Sequence, residues 1–162
     1  QGRTGKTGAR TRSGEAMCAS KPTAIAVQRF NVPAQRVYDA ILSTEMIGRF
    51  MFGPLLREET ILHIRNDPRV GGAFSYKVRR GEHEIDHVGR FLQLTPPKRI
   101  VFIWGIAGES DQYGSTVAID ITPTPEGCIV TLTHQMPPQW ADFLDRSRAA
   151  WEKMLGVLAT LL

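Results

Sequence analysis

His83 and His87 in "HEIDH", and His134 in "TLTHQM", are among the four histidines of this sequence, the side-chain type best able to move a proton near neutral pH. The i, i+4 spacing of His83 and His87 binds zinc when both lie on one helix face. Their segment, "EIDHVGRFLQL", is rich in β-formers and reads as a strand. Four strand residues set the two side chains roughly 13 Å apart on one face, too far for a shared ion, so no metal is expected. His87 is instead a candidate to hydrogen-bond a ligand from inside a cup, set against the plainer reading of a solvent-facing or edge histidine. His134, at the end of the last strand, is a candidate general acid/base or ligand contact, and equally a group that satisfies backbone at a strand-to-helix corner. No carboxylate is identifiably paired with it.

Rings are the second resource. Phe74, Tyr76, Phe91, Phe102, Trp104, Trp140 and Trp151 can line a small-molecule pocket, because such sites combine apolar rings with a few polar tips. They can equally fill a core, and the lining of a cup does both. Covalent and redox chemistry find less support. No Gly-x-Ser-x-Gly elbow occurs, Cys128 lacks a neighbouring activating group, no carboxylate pair stands out, and no Gly-x-Gly-x-x-Gly follows a strand. No cofactor is expected. The "GKT" at residues 5 to 7 lacks the upstream glycine and strand of a phosphate loop. Cys18 and Cys128 are expected as free thiols.

The charge balance removes nucleic acid from the expected partners. The formal net charge is +4, of which residues 1 to 20 carry +3 (Arg3, Lys6, Arg10 and Arg12 against Glu15). The remainder is nearly neutral and offers no footprint for phosphate. Those first twenty residues, rich in Gly, Arg, Thr and Ser, bury too little to order themselves and are expected as a disordered tail, with Met17 a candidate natural start. No apolar run approaches the roughly 18 residues that span a bilayer, so the chain is expected to be soluble and cytoplasmic, without a membrane partner.

The elements that position these residues follow from periodicity. "TAIAVQRF" reads as a strand, "NVPAQRVYDAIL" as a short helix with Asn31 as cap candidate and Pro33 in its first turn, and "STEMIGRFM" as a second short helix capped by Ser43. Six β-prone runs follow, joined by short turn sequences that make neighbours antiparallel. In "AFSYKV" the Lys77 face is wet, which turns Phe74, Tyr76 and Val78 inward. From Pro138 onward Trp140, Leu144, Trp151, Leu155, Leu158 and Leu162 recur at helical steps, predicting one long amphipathic helix to Leu162. The expected architecture is α+β: a six- or seven-stranded curved antiparallel sheet wrapped around that helix, over residues 21 to 162.

Two glycines, Gly71 and Gly72 in "DPRVGGAF", precede a strand that glycine would weaken. They are read as shape residues at a bend or a close backbone approach. The competing reading, a phosphate cradle partnered by Arg69, lacks a following helix start.

This element order resembles the helix-grip fold of the START-like (SRPBCC) superfamily. "DPRVGGAF", "GRFLQLTPPKRIVFIW", "STVAIDITPTPEGCIVTLTHQM" and "AAWEKMLGVLATLL" together resemble the bacterial family named after homologues of the heat-shock-protein-90 ATPase activator, over about residues 24 to 162. Ala150-Trp151 stands where that family often carries Gly-Trp, which narrows the space beside the helix. The resemblance implies a cup between sheet and helix; Phe74, Tyr76, His87, Phe102, Trp104, His134, Trp151 and Leu155 are the candidates to line it. The leading expectation is a protein that binds a small apolar or aromatic molecule. Alternatives are an interaction module for a chaperone, which the family name suggests, and a hydrolase or cyclase using a cavity histidine. Exposed strand edges are compatible with a homodimer.

Overall fold

Seven strands form one antiparallel sheet in the order β1-β7-β6-β5-β4-β3-β2, in a computed structural model that describes residues 21–162. The tail expected over residues 1 to 20, with Met17, Cys18 and "GKT", lies outside the described residues. The strands are β1 (Thr23–Phe30), β2 (Thr60–Asn66), β3 (Ala73–Arg80), β4 (His83–Thr95), β5 (Arg99–Ile106), β6 (Thr116–Thr124) and β7 (Gly127–Gln135). Helices α1 (Ala34–Leu42) and α2 (Thr44–Phe50) separate β1 from β2, and α3 (Leu144–Leu161) closes the chain. The meander from β2 to β7 follows from its short turns. The pairing of β1 with β7, from Thr23 opposite Gln135 to Phe30 opposite Cys128, joins the two ends of the fold.

Alternation sets the faces. Phe74, Tyr76 and Val78 of β3 are buried, as are Phe91 of β4, Phe102 of β5 and Leu132 of β7. Curvature has two visible sources. Register shifts occur between Ile61 and His63 in β2 and between Phe91 and Gln93 in β4, and such bulges bend a strand and raise its twist. Opposite the second lie the paired glycines: Gly71 donates its N–H to the Phe91 carbonyl and Gly72 accepts from the Phe91 N–H. Gly71 has φ +82°, and a Cβ on Gly72 would stand 2.1 Å from the Asp67 carbonyl oxygen. Both readings of a shape role therefore hold, one by φ and one by close approach. Arg69, the proposed phosphate partner, pairs with Asp67 on the surface.

The helices differ from expectation at their starts. Asn31 does not cap α1; Pro33, in extended conformation, occupies the cap position, and its carbonyl accepts from Arg36 and Val37. Ser43 caps α2 as expected, accepting from the Met46 N–H. Pro138–Phe143 is a 3-10 helix and not the first turns of α3. None of these six residues is buried, so no packing draws them into an α-helix. Within α3 the buried stripe is Trp151, Met154, Leu155 and Leu158, which lies on the concave face of the sheet and packs chiefly along β1. No helix among the described residues is long and apolar enough to cross a membrane.

Candidate functional site

The concave face carries two compartments that share a wall. The inner one is an apolar hollow between the sheet, α1–α2 and α3, lined by Phe74, Tyr76, Phe91, Phe102, Trp104, Trp151 and Leu155 among others. Its free volume is about 20 Å³, space for about one water. Phe74 sits at the centre of the rings, stacked on Tyr76 at 4.7 Å and edge-on to Phe102 at 5.6 Å. The Tyr76 hydroxyl donates to Asn66 Oδ1 at 2.8 Å, and Asn66 Nδ2 donates to the Leu42 carbonyl that ends α1. Burial pushes the Tyr76 phenol well above its ordinary range, so it stays a neutral donor.

The outer compartment is an open cleft of about 250 Å³ between the β4–β5 end of the sheet and the first half of α3. Trp104 and Trp151, with ring centroids 5.5 Å apart, line both compartments and stand between them. The cleft adds His87, His134, Arg57, Arg80, Trp140 and Met154. Ala150 also lines it.

The two histidines are both buried, yet they are wired differently. Trp151 Nε1–H donates to His134 Nδ1 at 3.0 Å. An indole only donates, so in the neutral ring Nε2 carries the proton and gives it to Ser115 Oγ, which is fully buried. Both nitrogens of His134 are engaged, and neither can take a proton from Ser115 without breaking the Trp151 bond. His87 Nδ1 lies 3.0 Å from the Tyr76 carbonyl, which only accepts, so Nδ1 holds the proton and Nε2 is left as a bare acceptor at the cleft. The His87 ring stacks on Trp104 at 5.4 Å and tilts against Phe52 at 4.9 Å. Burial lowers the pKa of each histidine to about 4, so both are neutral at pH 7.

Arg57, Glu59 and Arg80 form the polar rim. The Glu59 side chain has no exposed surface. Its Oε1 accepts from Arg80 Nε at 2.7 Å, and its Oε2 accepts from Arg57 Nη1 at 3.2 Å and the Gly53 N–H at 2.8 Å. Burial pushes its carboxyl upward, but the bonds from Arg80 and Gly53 and the two positive charges together outweigh that and hold it below the usual carboxylate range. Lys153 of α3 donates to the Leu56 carbonyl at 2.8 Å, which ties the helix to the loop that carries Arg57 and Glu59.

All eight cavity candidates from the sequence reach this region. Phe74, Tyr76, Phe102, Trp104, Trp151 and Leu155 line the hollow; His87 and His134 line the cleft with the two tryptophans. His83 lies exposed at the start of β4, apart from buried His87. Among the described residues no three His, Cys, Asp or Glu side chains gather as a metal site. Sequence reading missed Arg57, Glu59, Arg80 and Ser115. Arg80 carried a signal: it continues the inward phase of Phe74, Tyr76 and Val78, where a charge needs a buried partner. A further trio crosses the strands, His63 Nε2 at 2.8 Å from Ser75 Oγ and Ser75 Oγ–H donating to Asp86 at 2.6 Å. The serine gives its proton to the carboxylate, so the histidine is not the base that a nucleophilic triad needs. Cys128 is a free, buried thiol whose pKa burial raises, which leaves little thiolate for chemistry.

Known structures share this arrangement of strands and helices. The fold is similar to protein CV1439 from Chromobacterium violaceum (TM-score 0.71, 22% identity, covering 86% of this chain and 96% of that one). It is similar also to the AHSA1-like protein from Aeromonas hydrophila (TM-score 0.69, 18% identity, 85% and 90% covered) and to CalU16 from Micromonospora echinospora (TM-score 0.64, 22% identity, 85% and 74% covered). No curated protein matches the chain. The family model described as "Activator of Hsp90 ATPase homolog 1-like protein" matches residues 31–162, from the turn before α1 to the last residue, and the chain belongs to that family, as its helix-grip fold and the four sequence phrases anticipate.

Proposed function

We propose that this protein binds a small, mostly apolar molecule between the concave face of its sheet and α3, with the open cleft as the point of entry. The observation that carries this reading is the shared wall. Trp104 and Trp151 present their rings to an open cleft on one side and to a ring-lined hollow on the other. A flat apolar ligand can lie on them in the cleft, which is close to the smaller end of ordinary ligand sites, about 300 Å³. The hollow itself, at about 20 Å³, accepts a ligand group only if these rings swing apart. His87 Nε2 offers a ligand N–H or O–H a neutral acceptor, and His134 serves to hold Trp151 in place.

A thermal-shift panel of fatty acids, sterols and aromatic metabolites tests the reading, with tryptophan fluorescence as a second readout. At least one compound is expected to raise the Tm by several degrees, because selective binding to the native state stabilises it. Silence across the panel in both readouts would defeat the proposal. A second reading, a chaperone-docking module, draws on the family description and on Ile25 and Val27, which are 52% and 57% exposed on edge strand β1. It predicts that purified heat-shock-protein-90 binds the native chain and not an Ile25→Lys, Val27→Lys variant.

A further inference from the structure

We propose that the ligand of the cleft is an anion: a small amphipathic molecule whose carboxylate meets Arg57 and Arg80 while its apolar body lies on Trp104 and Trp151. This rests on the apolar-binding reading above and adds the charge that selects among such ligands. Each guanidinium has five N–H donors in a planar fork. Arg80 commits only Nε, to Glu59, and Arg57 commits only Nη1, to Glu59 and the Met51 carbonyl. Both Nη groups of Arg80, with Nε and Nη2 of Arg57, therefore have no protein acceptor among the described residues. Both side chains line the cleft and keep 29% and 35% of their surface exposed.

The charge count favours an acid. Glu59 neutralises one of the two cations, and its three hydrogen bonds hold it in place. No carboxylate lines the cleft itself; of its two histidines, His134 is neutral because the Trp151 N–H donates to its Nδ1, and burial keeps His87 neutral. One positive charge is thus left over beside an apolar wall. A structural ion pair needs one arginine for one carboxylate; the second fork, facing a cavity, is matched in geometry to a second carboxylate. Partial enclosure by the tryptophans strengthens that attraction relative to open solvent.

The test compares 1-naphthaleneacetate with its neutral amide, 1-naphthaleneacetamide, and with 1-naphthyl phosphate, titrated into the full chain by calorimetry at pH 7.5. The acetate is expected to bind at least about tenfold tighter than the amide, and to lose most of that advantage between 50 and 500 mM salt. If the phosphate binds tighter than both, the anion preference stands and the carboxylate assignment falls. Arg57→Gln should bring acetate and amide within about twofold. Glu59→Gln keeps an acceptor for the Gly53 N–H and removes the competing charge, so it should tighten the acetate severalfold and leave the amide unchanged. Arg80→Lys, which retains a charge for Glu59, guards against loss of folding in Arg80→Gln and should weaken the acetate by losing the fork. Equal binding of acetate and amide would overturn the anion assignment while leaving the apolar-binding reading in place. An acetate preference that survives the arginine substitutions overturns it as well. Failure of all three probes overturns it too, and the panel above then decides the wider reading on its own.

Discussion

The hollow and the cleft are separated by two tryptophan rings, and they solve opposite problems. The hollow is apolar on every side and almost full, so its rings contribute stability and leave space for about one water. The cleft is open, holds two cations, one covered carboxylate and a bare imidazole nitrogen, and has more than ten times the volume. His134 and His87 show the same contrast at the scale of one ring. Both are buried and both stay neutral to about pH 4, but His134 has each nitrogen bonded to protein and His87 keeps one for the cleft. What differs between His134 and His87 here is the second hydrogen bond, and burial does not distinguish them.

Acid is expected to separate the compartments most strongly. An unfolded chain protonates its histidines near 6.5, whereas the fold keeps both neutral down to about 4. Stability is therefore complete above about pH 6.5 and falls as the pH drops toward 4, because the unfolded state takes up protons first. At about 1.4 kcal/mol per pH unit the loss reaches roughly 3 kcal/mol from each histidine by pH 4. Urea denaturation of the parent, His134→Gln and His87→Gln at pH 7.5 and 4.5 measures it. Each substitution should shrink the acid-induced loss, and an unchanged loss in both would show that the two rings are not held neutral.

Next in size is Trp151→Ala, which empties volume on both sides of the wall and strips His134 of its donor; a loss of about 4 kcal/mol is expected. Trp151→Phe keeps most of the volume and should cost about half as much, so similar losses in the two variants would mean that the hydrogen bond outweighs packing. Leu155→Ala, inside the hollow, should lose about 3 kcal/mol, while Ile106→Ala, at the half-buried end of β5 that lines the cleft, should lose about 1 kcal/mol. Equal losses would erase the distinction between a packed compartment and an open one. The smallest effect is expected from Ala150→Gly. Glycine costs about 1 kcal/mol in a helix, yet it widens the cleft, so ligand binding should improve as the Tm falls.

Much of this was legible in the sequence. Alternation in "AFSYKV" put Phe74, Tyr76 and Val78 inside, and helical spacing after Pro138 named Trp151, Leu155 and Leu158 as one buried face. The same logic failed at the start of that helix, where Trp140 keeps the period but none of the residues from Pro138 to Phe143 is buried. A two-residue period also reached Arg80, yet a pattern of apolar residues gives no weight to a charge in phase with them. Ser115 offered no signal at all, because its role depends on a ring nineteen residues away.

Helix number and the inward-facing rings were decided locally, since each depends only on how side chains repeat along a few turns or a few pleats, whereas the place of β1 beside β7 was not. Tertiary structure alone decided which buried polar groups meet. Glu59 finds Arg80 across twenty-one positions, and His134 finds Trp151 across seventeen, through the approach of separate elements. It also decided how nearly the hollow is filled, because free volume is the small remainder after many large side chains pack, and no residue carries that remainder in its own identity.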